Sequence, residues 1–170
     1  SLFQSLPTYT VICRNKVLDL SQPHIMGILN VTPDSFSDGG QFNTVDEAVA
    51  HCKEMIAAGA TIIDIGGEST RPNAEAVATR DEVQRVVPVV TAIRQQLGND
   101  IWLSIDTSSP EVMQAAFEVG ADIWNDVRAL KREGAAVMAA KLNIPVMLMH
   151  MRGEPTTMNN LAQYDDVVRE

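Results

Sequence analysis

From His24 onward, short apolar runs alternate with longer amphipathic segments, and this alternation leaves the chain very few folds to adopt. The runs are Ile25–Val31, Thr61–Gly66, Ile101–Asp106, Asp122–Asn125 and Pro145–His150. Each is nearly continuous in apolar residues, which predicts strands buried on both faces, as in a parallel sheet. Between them, Val45, Ala48, Val49, Cys52 and Ile56 form one helical stripe; Val83, Val86, Val87, Val90 and Ile93 form another. Thr44 with Glu47 and Thr79 with Glu82 have the spacing of a capping box. Ser109 followed by Pro110 supplies an N-cap and a first-turn proline. Gly59, Gly98 and Gly120 stand where helix-ending glycines stand. Pro88 falls inside the second stripe and predicts a kink or a local tightening. Ahead of the alternation, Tyr9–Cys13 and Val17–Leu20 flank a polar turn at Arg14-Asn15-Lys16 and read as a hairpin.

Regular βα alternation implies an α/β architecture with a parallel sheet. No G-x-G-x-x-G turn is present, so a (β/α)₈ barrel with an N-terminal hairpin fits better than a doubly wound sheet. An internal repeat agrees: Ala58-Gly59-Ala60-Thr61-Ile62-Ile63-Asp64 matches Val119-Gly120-Ala121-Asp122-Ile123-Trp124-Asn125 in pattern. A full barrel takes about 250 residues. The 170 residues here supply five strands, four complete helices and a fifth helix starting near Tyr164. The expectation is one barrel domain over residues 1–170, truncated at its C-terminus, with two open sheet edges and an exposed apolar interior.

An apolar content of 45% and a charged content of 21% are those of a globular protein. The net charge of −9 argues against a nucleic-acid partner. A phosphorylated small molecule stays compatible with it, because local Arg residues, helix N-termini or a cation can overrule the global sign. No run approaches the roughly 18 apolar residues of a membrane span, and the N-terminus lacks a signal-peptide layout. Cys13 and Cys52 form neither a disulfide framework nor a metal spacing. A cytoplasmic protein without a membrane partner is expected.

Chemistry gathers at the strand ends. Residues two apart in a strand share a face, which places Asn30 with Ile28, Asp64 with Ile62, Asp106 with Ser104, Asn125 with Ile123 and Met149 with Met147. All stand at or near the C-terminal ends of their strands, the active-site end of a barrel. Two carboxylates and two amides suit a flat heterocycle carrying ring N–H and amino groups. Past Asn30, the loop through Gly40 mixes turn formers and hydroxyls with one exposed aromatic, Phe36, and two carboxylates. The second loop, from Gly66 to Asn73, offers backbone N–H groups, two hydroxyls and the Arg71 guanidinium, a set suited to an anion. Glu68 reads as structural. Of the three histidines only His150 is placed for a site, and no Ser-His-Asp or Cys-His constellation presents itself.

Leu29-Asn30-Val31-Thr32-Pro33-Asp34-Ser35-Phe36-Ser37-Asp38-Gly39-Gly40 and Asp64-Ile65-Gly66-Gly67-Glu68-Ser69-Thr70-Arg71-Pro72 closely resemble the two signature segments of the dihydropteroate synthase family. Ser104-Ile105-Asp106-Thr107, Asn125-Asp126-Val127 and Met149-His150-Met151 sit where that family's later strands place them. The resemblance implies a transferase of folate biosynthesis and a sulfonamide target. The family joins (7,8-dihydropterin-6-yl)methyl diphosphate to 4-aminobenzoate, giving 7,8-dihydropteroate and diphosphate. Position by position, it implies that Asp106 and Asn125 bind the pterin with Asp64 beside them, and that Met149 lines the pocket. Asn30 would meet the diphosphate and Mg²⁺. Phe36, Thr70, Arg71 and Pro72 would close over the diphosphate and the aminobenzoate, with Thr70, Arg71 and Asp106 tied most directly to turnover. A full-length parent is expected to be a homodimer. The family's glycine-rich Asp-Pro-Gly-Phe-Gly-type strand, its Ser-Arg-Lys strand and its final Arg-x-His strand are not in this sequence. The 170 residues alone are therefore expected to be inactive and prone to associate. The alternatives are the pterin-binding domain of a methyltetrahydrofolate:corrinoid methyltransferase, which needs neither aminobenzoate nor diphosphate, and a non-catalytic barrel fragment.

Overall fold

The computed structural model describes residues 10–31, 44–67, 78–126, 128, 130–149 and 155–157, the last three and residues 148–149 by their backbone. A hairpin, β1 (Thr10–Cys13) and β2 (Lys16–Asp19), comes first. Its register pairs Cys13 with Lys16, so Arg14 and Asn15 form a two-residue turn, and Arg14 takes the positive φ of 54°. The βα alternation follows: β3 (Ile25–Asn30), α1 (Thr44–Ala57), β4 (Ala60–Gly66), α2 (Thr79–Leu97), β5 (Trp102–Asp106), α3 (Pro110–Glu118), β6 (Ile123–Asp126), α4 (Ala135–Leu142) and β7 (Val146–Met149). Strands β3 to β7 pair in chain order and all in parallel. Every predicted strand is present, with ends shifted by a residue.

Two apolar layers lie on either side of this sheet. Leu29, Val31, Ile63, Ile65, Leu103, Ile105, Trp124 and Val146 face the helices, among buried residues such as Val49, Val86, Val90, Ile93 and Met113. Ile62, Trp102, Ile123 and Met147 face the other way and pack with Val11, Cys13, Leu18 and Leu20 of the hairpin. The hairpin thus floors the interior. His24 fixes it to the sheet, with Nε2 at 2.6 Å from the Asp19 carbonyl and Nδ1 at 2.8 Å from Thr61 Oγ1.

A charged hub completes the floor. Asp122, 1% exposed, accepts from Arg94 Nη2 at 2.7 Å and Lys16 Nζ at 2.8 Å, with Arg14 Nη1 at 3.4 Å. Leu103 N–H donates to the same carboxylate at 3.0 Å. Other donors of the cations go to carbonyls at or just past the ends of α2 and α3 and to Ile101 ahead of β5: Arg94 to Gly98, Ile101 and Gly120, and Arg14 to Phe117 and Ala121. The Phe117 carbonyl, in the last turn of α3, carries the negative end of that helix's dipole.

Three expectations need correction. The Thr79–Glu82 capping box does not form: Ala78 occupies the N-cap position without a side-chain bond, and the 2%-exposed Glu82 turns inward, toward Gly67. Helix α2 runs through Pro88 as one helix of 19 residues, with Pro88 on its exposed side. Strand β3 is not buried on both faces; Ile25 and Ile28 are 47% and 54% exposed, because no further described strand lies beyond it. The far edge of β7 is not open either. A short antiparallel strand, β8 (Pro155–Thr157), pairs with it and satisfies its backbone groups. Ser109 does cap α3, its hydroxyl accepting from Val112 N–H. Gly59, Gly98 and Gly120 have φ of 113°, 86° and 123°, conformations that favour glycine. The cap at Thr44 and the helix near Tyr164 fall on or beside residues outside the described set.

Candidate active site

The site is built in rows across the sheet. Parallel registry places Ile28, Asp64 and Ser104 side by side, with Ile123 next to Ser104. Two residues further along the strands, the next row reads Asn30, Gly66, Asp106 and Asn125. Period-two alternation puts both rows on the interior face, above the floor formed by Ile62, Trp102 and the hairpin.

Asp64 sits at the centre of the lower row and is 5% exposed. Ser104 Oγ donates to its Oδ1 at 2.7 Å, and Asn125 Nδ2 donates to the same oxygen at 3.2 Å. Burial pushes the Asp64 carboxyl up to about 6, and the two hydrogen bonds oppose that rise. Among the described residues no ion pair reaches it. Asn125 is equally buried, and its Oδ1 finds no partner among the described residues. An unsatisfied buried acceptor is costly and calls for an explanation.

Asp106 ends β5 beside Asn125 and is half-buried. Gly66, on its other side, carries no side chain; a Cβ there would lie 3.5 Å from Asp106 Oδ2. The loop after β5 is pinned by backbone and indole bonds. Thr107 N–H donates to the Asn125 carbonyl at 3.2 Å, and Trp124 Nε1 donates to the Thr107 carbonyl at 2.8 Å. Asn30 is exposed at the end of β3, with Gly66 as its neighbour.

Sequence reasoning therefore placed Asn30, Asp64, Asp106 and Asn125 on one face correctly, and the fold brings them together. It gave Ser104 no role beyond sharing a face with Asp106. It also gave no role to Asp126, which faces the helices and accepts from Arg128 N–H at 2.9 Å and Leu130 N–H at 3.1 Å. Burial pushes Asp126 up while those donors hold it down. It shapes the loop after β6. Arg85 does similar work on the second loop, donating to the Gly67 carbonyl at 2.9 Å. Phe36, Thr70, Arg71, Pro72, Glu68 and His150 lie outside the described residues, as does the Met149 side chain.

The described residues hold no group of three or more His, Cys, Asp or Glu side chains able to cage a metal. Asn30 offers one hard oxygen, which suits Mg²⁺ when phosphate oxygens complete the shell. Cys13 and Cys52 are buried and free.

Residues 26–170 match the family model described as pterin binding enzyme. The dihydropteroate synthase of Escherichia coli strain K12 is 58% identical over 153 residues, covering 90% of this chain and 54% of the relative. The solved Xanthomonas albilineans dihydropteroate synthase with 4-aminobenzoic acid is 50% identical, with a TM-score of 0.78 over 84% of this chain and 52% of that one. The same enzyme in complex with 7,8-dihydropteroate is 46% identical, with a TM-score of 0.74 over 84% and 51%. The chain spans about half the length of these relatives, so its sheet corresponds to part of their barrel. With its family model matched over all but the first 25 residues, the chain belongs to the pterin-binding enzyme family.

Proposed function

We propose that residues 1–170 form the pterin-binding part of a dihydropteroate synthase barrel, as one domain. The complete enzyme would condense (7,8-dihydropterin-6-yl)methyl diphosphate with 4-aminobenzoate. The observation that carries this reading is the upper row, Gly66, Asp106 and Asn125, set directly above the buried Asp64 carboxylate. One carboxylate and one amide acceptor side by side, with no side chain on the neighbouring Gly66, suit the N–H-rich edge of a pterin. The likeness to dihydropteroate synthases solved with 4-aminobenzoic acid and with 7,8-dihydropteroate supports it.

The chemistry needs no protein nucleophile. An electron-rich pterin stabilises the cationic methylene left when diphosphate departs, and the aniline nitrogen of aminobenzoate then attacks that carbon. Asp106 and Asn125 orient the ring, with Asp64 beside them and Met149 along the pocket. In this reading Thr70, Arg71 and Pro72 of the second loop, with Phe36 of the first, close over the leaving group and the aminobenzoate and exclude water. Mg²⁺ would be held at Asn30 and, when bound, disperses charge on the diphosphate. The described helices include none long and apolar enough to cross a membrane; a cytoplasmic location and a homodimeric full-length form belong to the same proposal.

The test is calorimetric titration of a dihydropterin into the purified chain. Binding weakened in Asp106→Ala by about 1–3 kcal/mol, the scale for an unpaired buried polar partner, bears the reading out. Unchanged affinity counts against it. For the complete enzyme, release of diphosphate on adding both substrates separates a synthase from the corrinoid methyltransferase reading, for which methyl transfer to a corrinoid would be seen instead.

A further inference from the structure

Asp64 is the least explained group of the site. It is deeply buried, lies one row below Asp106 and Asn125, and receives two neutral donors on a single oxygen. A carboxylate buried without a cation is costly, so its place calls for a reason. The reason lies in what it does to its neighbour. A side-chain amide presents a donor at one end and an acceptor at the other, and alone it can flip between the two. An ionised carboxylate accepts only. With Nδ2 of Asn125 held 3.2 Å from Asp64 Oδ1, the planar amide carries Oδ1 away from Asp64, and that oxygen has no partner among the described residues. Ser104, fully buried, fixes the carboxylate itself at 2.7 Å.

We infer that Asp64 is a positioning residue: steadied by Ser104, it locks the Asn125 amide so that Oδ1 is the acceptor offered to an N–H of the bound heterocycle. This rests on the pterin-binding reading above and deepens it. Asp64 then acts on the ligand only through Asn125, and its own carboxylate need not touch the ring.

Among the described residues, the groups around Asp64 are Ser104 from β5, Asn125 from β6, Ile28 from β3 and, one row above, Asp106. Asp106 is the one other titratable group among them. Protonation of Asp64 gives it a hydrogen to donate, so the amide can turn and the acceptor is lost. Pterin affinity should therefore fall as pH drops through about 6.

A double-substitution cycle tests this on the purified chain, with 6-hydroxymethyl-7,8-dihydropterin as probe and calorimetry as readout. Asp64→Asn replaces an obligate acceptor with an amide that can face either way. It should weaken binding by about 3–10-fold in the unmodified background, the scale of one lost hydrogen bond, and change it less than about 2-fold when Asn125→Ala is also present. It should also abolish the fall in affinity near pH 6. Ser104→Ala, which leaves both partners in place, should move that fall to higher pH and keep binding at pH 8 within about 3-fold. An equal loss from Asp64→Asn in both backgrounds means that Asp64 touches the ligand directly and overturns the inference, as does a pH profile unmoved by either variant. Failure of the unmodified chain to bind the probe removes the pterin-binding reading itself, and the inference with it.

Discussion

Two buried aspartates sit at opposite ends of one sheet, and the fold treats them in opposite ways. Asp122, at the floor, faces three cations and a backbone N–H. Asp64, near the mouth, has two neutral donors and no ion pair among the described residues. The internal repeat makes the contrast sharper. Asp122 matches Thr61 and Asn125 matches Asp64, so each βα unit carries one acidic position, at the floor in one unit and at the mouth in the other. The floor spends its charge on holding the hairpin, α2 and α3 together. The mouth keeps a carboxylate that only neutral donors compensate among the described residues. In barrels this division is general: the N-terminal face carries stability and the C-terminal face carries chemistry.

The contrast breaks first at Asp122. Asp122→Ala leaves Arg94 and Lys16 buried or half-buried without a counter-charge and should cost about 3–5 kcal/mol, read as a fall in the urea midpoint. A loss below about 1 kcal/mol, the range of exposed pairs, would mean that the hub is no anchor.

Asp64→Asn should act on stability only through pH. Asp64 titrates near 6 in the folded chain against an ordinary 3.8, so between those values the folded state holds more protons than the unfolded one. Stability therefore falls as pH rises through that window, by about 3 kcal/mol at ~1.4 kcal/mol for each pKa unit. The variant should lose this part of the slope between pH 4 and 6 while the rest of its pH profile stays. A slope unchanged by the substitution would put the titrating group elsewhere.

Arg14→Ala is the mildest probe. Its side chain is 39% exposed, and solvent screening should hold the loss to about 1 kcal/mol or less, although it also removes the contact of the guanidinium with the Phe117 ring. A loss as large as that of Asp122→Ala would show the hairpin to be held mainly by this residue and not by the whole cluster.

Much of the site was legible because strand parity is local. Asn30, Asp64, Asp106 and Asn125 share a face by counting in twos, and apolar runs ending in polar residues mark the mouth of each strand. The charged floor was not legible. Arg14, Lys16, Arg94 and Asp122 come from the hairpin, α2 and the residue before β6, with no spacing to connect them; Arg14 and Asp122 are 108 residues apart. Ser104 was hidden differently, since a serine in an apolar run has no distinctive signature until its neighbour across the sheet is known. Thr79 shows a local rule losing to packing. Its Glu82 had the spacing for a cap, but the interior contact near Gly67 took that side chain instead.

By itself, the sequence determined the βα rhythm, the parallel sheet, the helix-ending glycines and the set of residues at the mouth. All of these follow from periodicities and backbone preferences within a few residues. Only the tertiary structure decided which of those residues touch. The bond from Asn125 to Asp64, across 61 residues of chain, depends on the register of three parallel strands, and registry is fixed by how the whole sheet packs between its helices and its hairpin floor.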